Sequence, residues 1–251
     1  MKIDRVGEES YNNFGSLMVI SKYDNRNNID IYFPEYNWTY LNANYDNFKS
    51  GKVKCPYEQR VYNIGYIGEG KYSSIENGKQ NKSYKTWSHM LERCYDDVHK
   101  YRFSSYEDCY VCDDWLNYQN FAEWYNFNYY EINGESMCLD KDILVKGNKI
   151  YGPDTCVFVP QTINNLFTKN DKNRGELPIG VYKYYNKYRV MCSNGYNQLV
   201  TLGIFDNISD AFNTYKEYKE TVIKQIADDY INSIPSILYE AMYNYTVDIN
   251  D

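Results

Sequence analysis

Residues 178–225 restrict the fold more tightly than any other stretch of this 251-residue chain. Pro178-Ile179-Gly180-Val181-Tyr182-Lys183 opens a strand, Tyr188-Arg189-Val190-Met191-Cys192 makes a second, and Asn197-Gln198-Leu199-Val200-Thr201-Leu202-Gly203-Ile204-Phe205 a third. Asn186 and Ser193-Asn194-Gly195 supply the turns between them. A helix follows at once, capped by Ser209, with Ala211, Phe212, Tyr215, Tyr218, Val222 and Ile223 recurring as an apolar stripe. The pattern predicts a small unit of three strands and a helix. The tail is expected to stay helical to about Ile231 and to resume from Ser236 to about Tyr243, after Pro235.

The front of the chain reads as strands of another kind. Leu17-Met18-Val19-Ile20, Ile29-Asp30-Ile31-Tyr32-Phe33, Trp38-Thr39-Tyr40 and Val61-Tyr62-Asn63-Ile64 alternate in strand fashion, with Asp24-Asn25-Arg26-Asn27-Asn28 as a turn. Gly65-Tyr66-Ile67-Gly68-Glu69-Gly70 lacks the Gly-Lys-Ser/Thr ending of a phosphate loop and reads as a hinge or linker running on to Lys79. From Tyr84, Thr86 is expected to cap a helix that buries Trp87, Met90, Leu91 and Cys94 and turns His89 and Arg93 to another face. Tyr110-Val111-Cys112 reads as a short strand. Trp115 to Tyr130 reads as a helix with Trp115, Phe121, Trp124 and Tyr125 turned inward. The expected class is α+β, divided into a small β-rich domain over 1–70, a central unit over 84–167 and a sheet-plus-helix domain over 178–251.

Charge and cysteine usage narrow the function classes. The net charge of -7 argues against a protein that simply coats nucleic acid, but its distribution is uneven. From Asp206 onward the net charge is -6, whereas Lys169, Lys172, Arg174, Lys183, Lys187 and Arg189 face only Asp171 and Glu176. Seven cysteines, and no apolar leader after Met1, point to a reducing cytoplasm rather than a disulfide framework. No run of about 18 apolar residues occurs, so no membrane span is expected. Thirty-one tyrosines against ten phenylalanines suit a surface that stacks on a partner and hydrogen-bonds to it, or reflect codon usage in an AT-rich genome.

The densest polar chemistry lies between Leu139 and Asn165. Asp140 and Asp142 sit two apart, which on a strand places them on one face. They are suited either to a metal or to capping a turn and pairing with Lys141, Lys146 or Lys149. Gly147-Asn148 is a turn, and Tyr151-Gly152-Pro153-Asp154-Thr155-Cys156 leads into an apolar strand. Cys109 and Cys112 form a C-x-x-C; with Cys94 and Cys138 or Cys156 they could close a structural zinc tetrahedron, or serve as buried core residues.

Several of these segments, in this order, resemble phage and prophage proteins related to HNH homing endonucleases. The resemblance rests on Tyr84 to Tyr95, Val111-Cys112-Asp113-Asp114-Trp115, Phe121, Leu139-Asp140-Lys141, Gly147-Asn148 and Tyr151 to Cys156. Downstream, Gly180-Val181, Tyr188-Arg189, Leu202-Gly203-Ile204-Phe205 and Asp210 to Tyr215 resemble the DNA-binding domain of plant APETALA and ethylene-response factors. The resemblance covers about residues 84–225. It implies an HNH-like ββα unit in which Asp140 and Asn164, or Asn165, hold Mg²⁺ or a similar ion against a phosphate, with Asn148 in the turn. Lys141 stands where the family has the histidine that activates water. A lysine charged at neutral pH accepts no proton but can steady phosphate charge; His89 and His99 are the alternative bases. The resemblance further implies double-stranded DNA as partner, read by the sheet through Arg174, Lys183, Lys187 and Arg189. Three outcomes follow: a metal-dependent or silenced nuclease core on a DNA-binding protein, a non-catalytic inhibitor of a host defence protein, or a transcriptional regulator.

Overall fold

The computed structural model describes residues 4–168, 176–196 and 198–249. It is α+β, as expected, and divides into two compact units, Met1–Phe127 and Asn128–Asp251. The segment expected as one central unit, 84–167, has residues in both.

The first unit opens with an antiparallel sheet in the order β1 (Glu9–Tyr11), β2 (Leu17–Asn25), β3 (Asn28–Phe33), β4 (Trp38–Ala43). Strict alternation puts Met18, Ile20, Ile29, Ile31 and Phe33 on one side, where they bury with Phe48 of α1 (Tyr45–Lys49), Val53 and Cys55. Val61-Tyr62-Asn63-Ile64, expected as a strand, is a tight turn. Tyr62 and Asn63 both have positive φ (53° and 58°), and Ile64 and Gly65 donate back to the Val61 carbonyl.

The glycine-rich stretch after it is not a loose hinge. The Tyr66 amide donates to the Leu116 carbonyl at 3.0 Å, and the Tyr118 amide donates to the Tyr66 carbonyl at 2.9 Å. The Gln119 side-chain amide clamps the carbonyls of Ile67 and Tyr72 and accepts from the Tyr72 amide. Gly68 has φ +71° and lies so close to Asn117 that a side chain there would collide with it. A hairpin of β5 (Ile75–Glu76) and β6 (Lys79–Gln80) turns on left-handed Asn77 and Gly78.

α2 spans Lys82–Tyr95 and starts earlier than its apolar spacing suggests. Its cap is Asn81, whose Oδ1 accepts from the Tyr84 amide; Thr86 lies within the helix and donates to the Lys82 carbonyl. The buried face is the expected one: Trp87, Met90, Leu91 and Cys94. After α3 (Asp97–Arg102), the aromatic helix breaks into α4 (Asp113–Leu116) and α5 (Tyr118–Asn128) at the extended Asn117, with Trp115, Phe121 and Tyr125 buried.

In the second unit, β7 (Met137–Asp140) pairs antiparallel with β8 (Val157–Pro160), and α6 (Gln161–Phe167) follows directly, giving a ββα arrangement. β9 (Val181–Tyr184), β10 (Lys187–Ser193) and β11 (Leu199–Phe205) form the antiparallel sheet expected from their pattern. α7 (Ile208–Tyr230) is capped by Asn207 rather than Ser209, because the Asn207 side-chain Oδ1 accepts from the Asp210 amide. Over about 34 Å of length it serves two cores. Ala211, Phe212 and Tyr215 pack beneath the sheet on Val181, Val190 and Cys192. Val222, Ile223, Ile226 and Ala227 pack on Val157, Val159 and Ile163 of the ββα segment, joined by Leu238 and Met242 of α8 (Ser236–Tyr243). Gly180, at φ +77°, leaves room for the Tyr215 ring, which a Cβ would enter. The apolar stripe of α7 is interrupted once, by buried Lys219, whose pKa is lowered by burial.

Candidate functional site

Asp140 ends β7, opposite Val157. Its Oδ1 accepts from the amides of Asp142 (2.7 Å) and Ile143 (2.8 Å), so the carboxylate caps the turn that leaves the strand. Burial nevertheless raises its pKa, against the lowering effect of those two amides.

Lys141 is 4% exposed. Its ammonium donates to Asp142 Oδ1 and Oδ2 at 2.8 and 2.7 Å and to the Asn148 carbonyl at 3.0 Å, and lies 5.8 Å from the Tyr151 ring centre. Asn148 returns the tie. Its Nδ2 donates to the carbonyls of Lys141 (2.8 Å) and Ile150 (2.7 Å), while its Oδ1 accepts from the Ile150 amide (3.2 Å). Thr155 Oγ1 closes the far side on the Ile150 carbonyl at 2.8 Å. Of the two uses open to the paired acids, the structure has the second: Asp140 caps the turn and Asp142 pairs with Lys141.

Asn164 is half-buried on α6, and among the described residues no hydrogen bond joins its side chain to Asp140. Asn165 is exposed and accepts from Gln161 at 2.7 Å. This donor set does not fit a divalent cation. One Asp140 oxygen already receives two amides, both Asp142 oxygens hold an ammonium, and that ammonium would repel the metal at close range. His89 belongs to α2 and His99 to α3, in the first unit; the His99 ring packs on Phe103 and Tyr106.

Among the described residues no three His, Cys, Asp or Glu side chains are grouped to hold a metal ion. Cys94, Cys109 and Cys156 are buried, Cys112 is half-buried, and no disulfide joins any of the seven cysteines. Cys109 Sγ faces the Ser105 carbonyl at 3.6 Å, and burial raises the Cys112 pKa, the reverse of what a thiolate ligand needs.

The sheet separates the expected DNA-contacting cations. Tyr184 pairs with Lys187, Lys183 with Tyr188 and Tyr182 with Arg189. Directly paired residues share a face, so Tyr182, Tyr184, Lys187 and Arg189 line the side away from α7. Lys183 lies on the opposite side with Val181, its ammonium 4.9 Å from the Tyr188 ring centre. Arg174 falls outside the described residues. On the outward face the Arg189 guanidinium sits 5.4 Å from the Tyr184 ring centre, and its buried Nε has no hydrogen-bond partner. Lys187 bridges to Asp206 at 2.9 Å, an exposed pair worth little. Tyr184, the stacking partner of Arg189, is a member that strand parity identifies once the two-residue turn is placed at Tyr185-Asn186.

Known proteins do not name this arrangement. Comparison with family models, curated proteins and solved structures finds no match. The assignment therefore rests on residue chemistry. No helix among the described residues is long and apolar enough to cross a membrane.

Proposed function

We propose that this chain is a phage-encoded DNA-binding protein related to HNH homing endonucleases, whose nuclease site has become a structural lock. The observation that carries the reading is Lys141: a buried ammonium tied to Asp142 and Asn148 stands where a base would be needed. An ammonium so held neither accepts a proton from water nor leaves room for a cation beside it. DNA is met by the outward face of β9–β11, where Arg189 is braced by Tyr184 and its guanidinium, with no hydrogen bond to another described residue, serves a base edge or phosphate. The working compartment is the host cytoplasm, where seven cysteines outside any disulfide stay reduced.

The test is incubation of the purified protein with supercoiled plasmid and Mg²⁺ or Mn²⁺, beside Asp140→Ala. The expected result is no nicking by either, together with a salt-dependent gel shift that Arg189→Ala plus Lys187→Ala weakens. Nicking that disappears in Asp140→Ala would overturn the lock.

One observation favours a second reading, a host defence protein as partner. The same face exposes Leu199 and Ile204 beside Tyr182; aromatic residues and arginine with few lysines is the composition of protein interfaces. Absence of both nicking and gel shift favours this reading, and retention of a host protein by wild type but not by Ile204→Asp would support it.

A further inference from the structure

The first unit contains a groove that the DNA reading does not use. It lies beside β4 and α1 and has a volume of about 390 Å³, within the range of small-molecule sites. Its lining is polar: Asn27, Tyr40, Asn42, Asn47, Lys52 and Lys54 face it, and no carboxylate does. In a chain of net charge -7 this is a local reversal of sign.

The groove is built by departures from regular strand geometry. Ile31 pairs with Tyr40 and Ile29 with Ala43, so β4 carries one more residue than β3 over the same interval. This bulge puts Asn42 at φ 56°, and its amide is fastened to Asp30 Oδ1 at 3.0 Å. Bulges of this kind re-aim side chains. Asn44 donates to the Asn27 side-chain oxygen at 2.9 Å, which leaves the Asn27 NH₂ for another partner. Among the described residues the side chains of Asn42 and Asn47 make no hydrogen bond, and Lys52 and Lys54 form no ion pair. Nearby acids are engaged elsewhere: Asp46 holds Arg26 at 2.7 Å, and Asp30 holds the Asn42 amide. Lys54 reaches over the Phe14 ring at 5.5 Å; Arg60, 4.8 Å from the same ring centre, is already paired with Glu58 at 3.4 Å, so the positive charge of the rim rests on the two lysines.

We infer that this groove binds a nucleoside phosphate, free or within a single strand of nucleic acid. Phosphate lies on Lys52 and Lys54, the base edge on the amides of Asn42 and Asn47, and the base face on Tyr40, a residue 40% exposed. An uncharged sugar would leave the two lysines without a role. An acidic peptide would leave the amides, each both donor and acceptor, and the aromatic ring unused.

Calorimetric titration of the full chain at low salt tests the site, with deoxynucleoside monophosphates, the matching nucleosides and a short oligothymidylate as probes. Nucleotides should bind at least about tenfold more tightly than nucleosides. Lys52→Ala plus Lys54→Ala should weaken nucleotide binding by about tenfold and flatten its salt dependence. Asn42→Gly keeps the left-handed backbone, and should lose about fivefold together with discrimination among bases. A mononucleotide as tight as the oligonucleotide identifies a free nucleotide; a tighter, salt-dependent oligonucleotide identifies a single strand. The inference is overturned if variants with wild-type melting curves bind like wild type, or if the folded wild-type protein binds neither probe. Arg189→Ala should leave all these values unchanged, so failure here and failure of the sheet reading are separate results.

Discussion

In the loop after β7, the Lys141 ammonium is buried against the Tyr151 ring with two carboxylate oxygens and a carbonyl around it. On the outward face of β9–β11, the Arg189 guanidinium also lies beside a tyrosine, but its buried Nε has no partner. Lys141 follows a strand and Arg189 lies within one, and both belong to the second unit. The first has its donors satisfied within the chain and so contributes to holding a loop; the second makes no side-chain hydrogen bond among the described residues. Function in this unit is therefore expected where a cation is incompletely satisfied, not where polar residues are densest.

Four substitutions sharpen or break that contrast. Lys141→Ala leaves Asp142 without its cation and the Asn148 carbonyl without its donor, and should cost about 3 kcal/mol in urea unfolding. A loss below about 0.5 kcal/mol would mean that the lock holds nothing. Arg189→Ala should reverse the pattern, leaving stability unchanged while weakening DNA binding by about tenfold in a gel shift at fixed salt. Unchanged affinity would remove the sheet from the DNA reading.

Lys219→Met tests the cation buried in the α7 stripe. Its lowered pKa means that the folded state prefers the neutral amine, so its contribution to stability is complete only above the unfolded value and is lost as pH falls through the folded value. At neutral pH the apolar replacement should stabilise the protein by about 1 kcal/mol. A destabilised variant would show that the ammonium is better solvated than its burial implies.

Asp140→Asn should have the smallest effect at neutral pH, because an amide oxygen still accepts from the Asp142 and Ile143 amides. The aspartate's raised pKa means that the folded state holds the proton more tightly than the unfolded state does. That advantage is present in full below the unfolded value near pH ~4 and is lost as pH rises through the folded one. Wild-type stability measured against the variant should therefore fall as pH rises from ~4; a difference that grows with pH would invert the assignment.

Local periodicity determined much of this protein. Val181, Val190 and Cys192 fall in strands, and Ala211, Phe212, Tyr215, Val222 and Ile223 on one helical stripe, because periods of two and 3.6 are properties of the backbone itself. The cap residues were less legible. Asn81 and Asn207 win over Thr86 and Ser209 because each helix begins before its apolar pattern does. The separation of Lys183 from Lys187 and Arg189 was available in principle, since a two-residue turn at Tyr185-Asn186 fixes the register and with it the face of every side chain. The chemistry of the site was only half written in the chain. Sequence places Lys141 between two aspartates, but whether its charge meets water, a ligand or Asp142 depends on how residues 140–155 fold back on themselves. The groove of the first unit lies further from reading. Asn27, Asn42, Asn47, Lys52 and Lys54 are scattered among many similar residues, and only the bulge in β4 and the placement of α1 bring their side chains to one opening. Periodicity is a short-range property that a sequence carries on its face; the satisfaction or exposure of a polar group is settled by neighbours distant in the chain, which only the tertiary structure supplies.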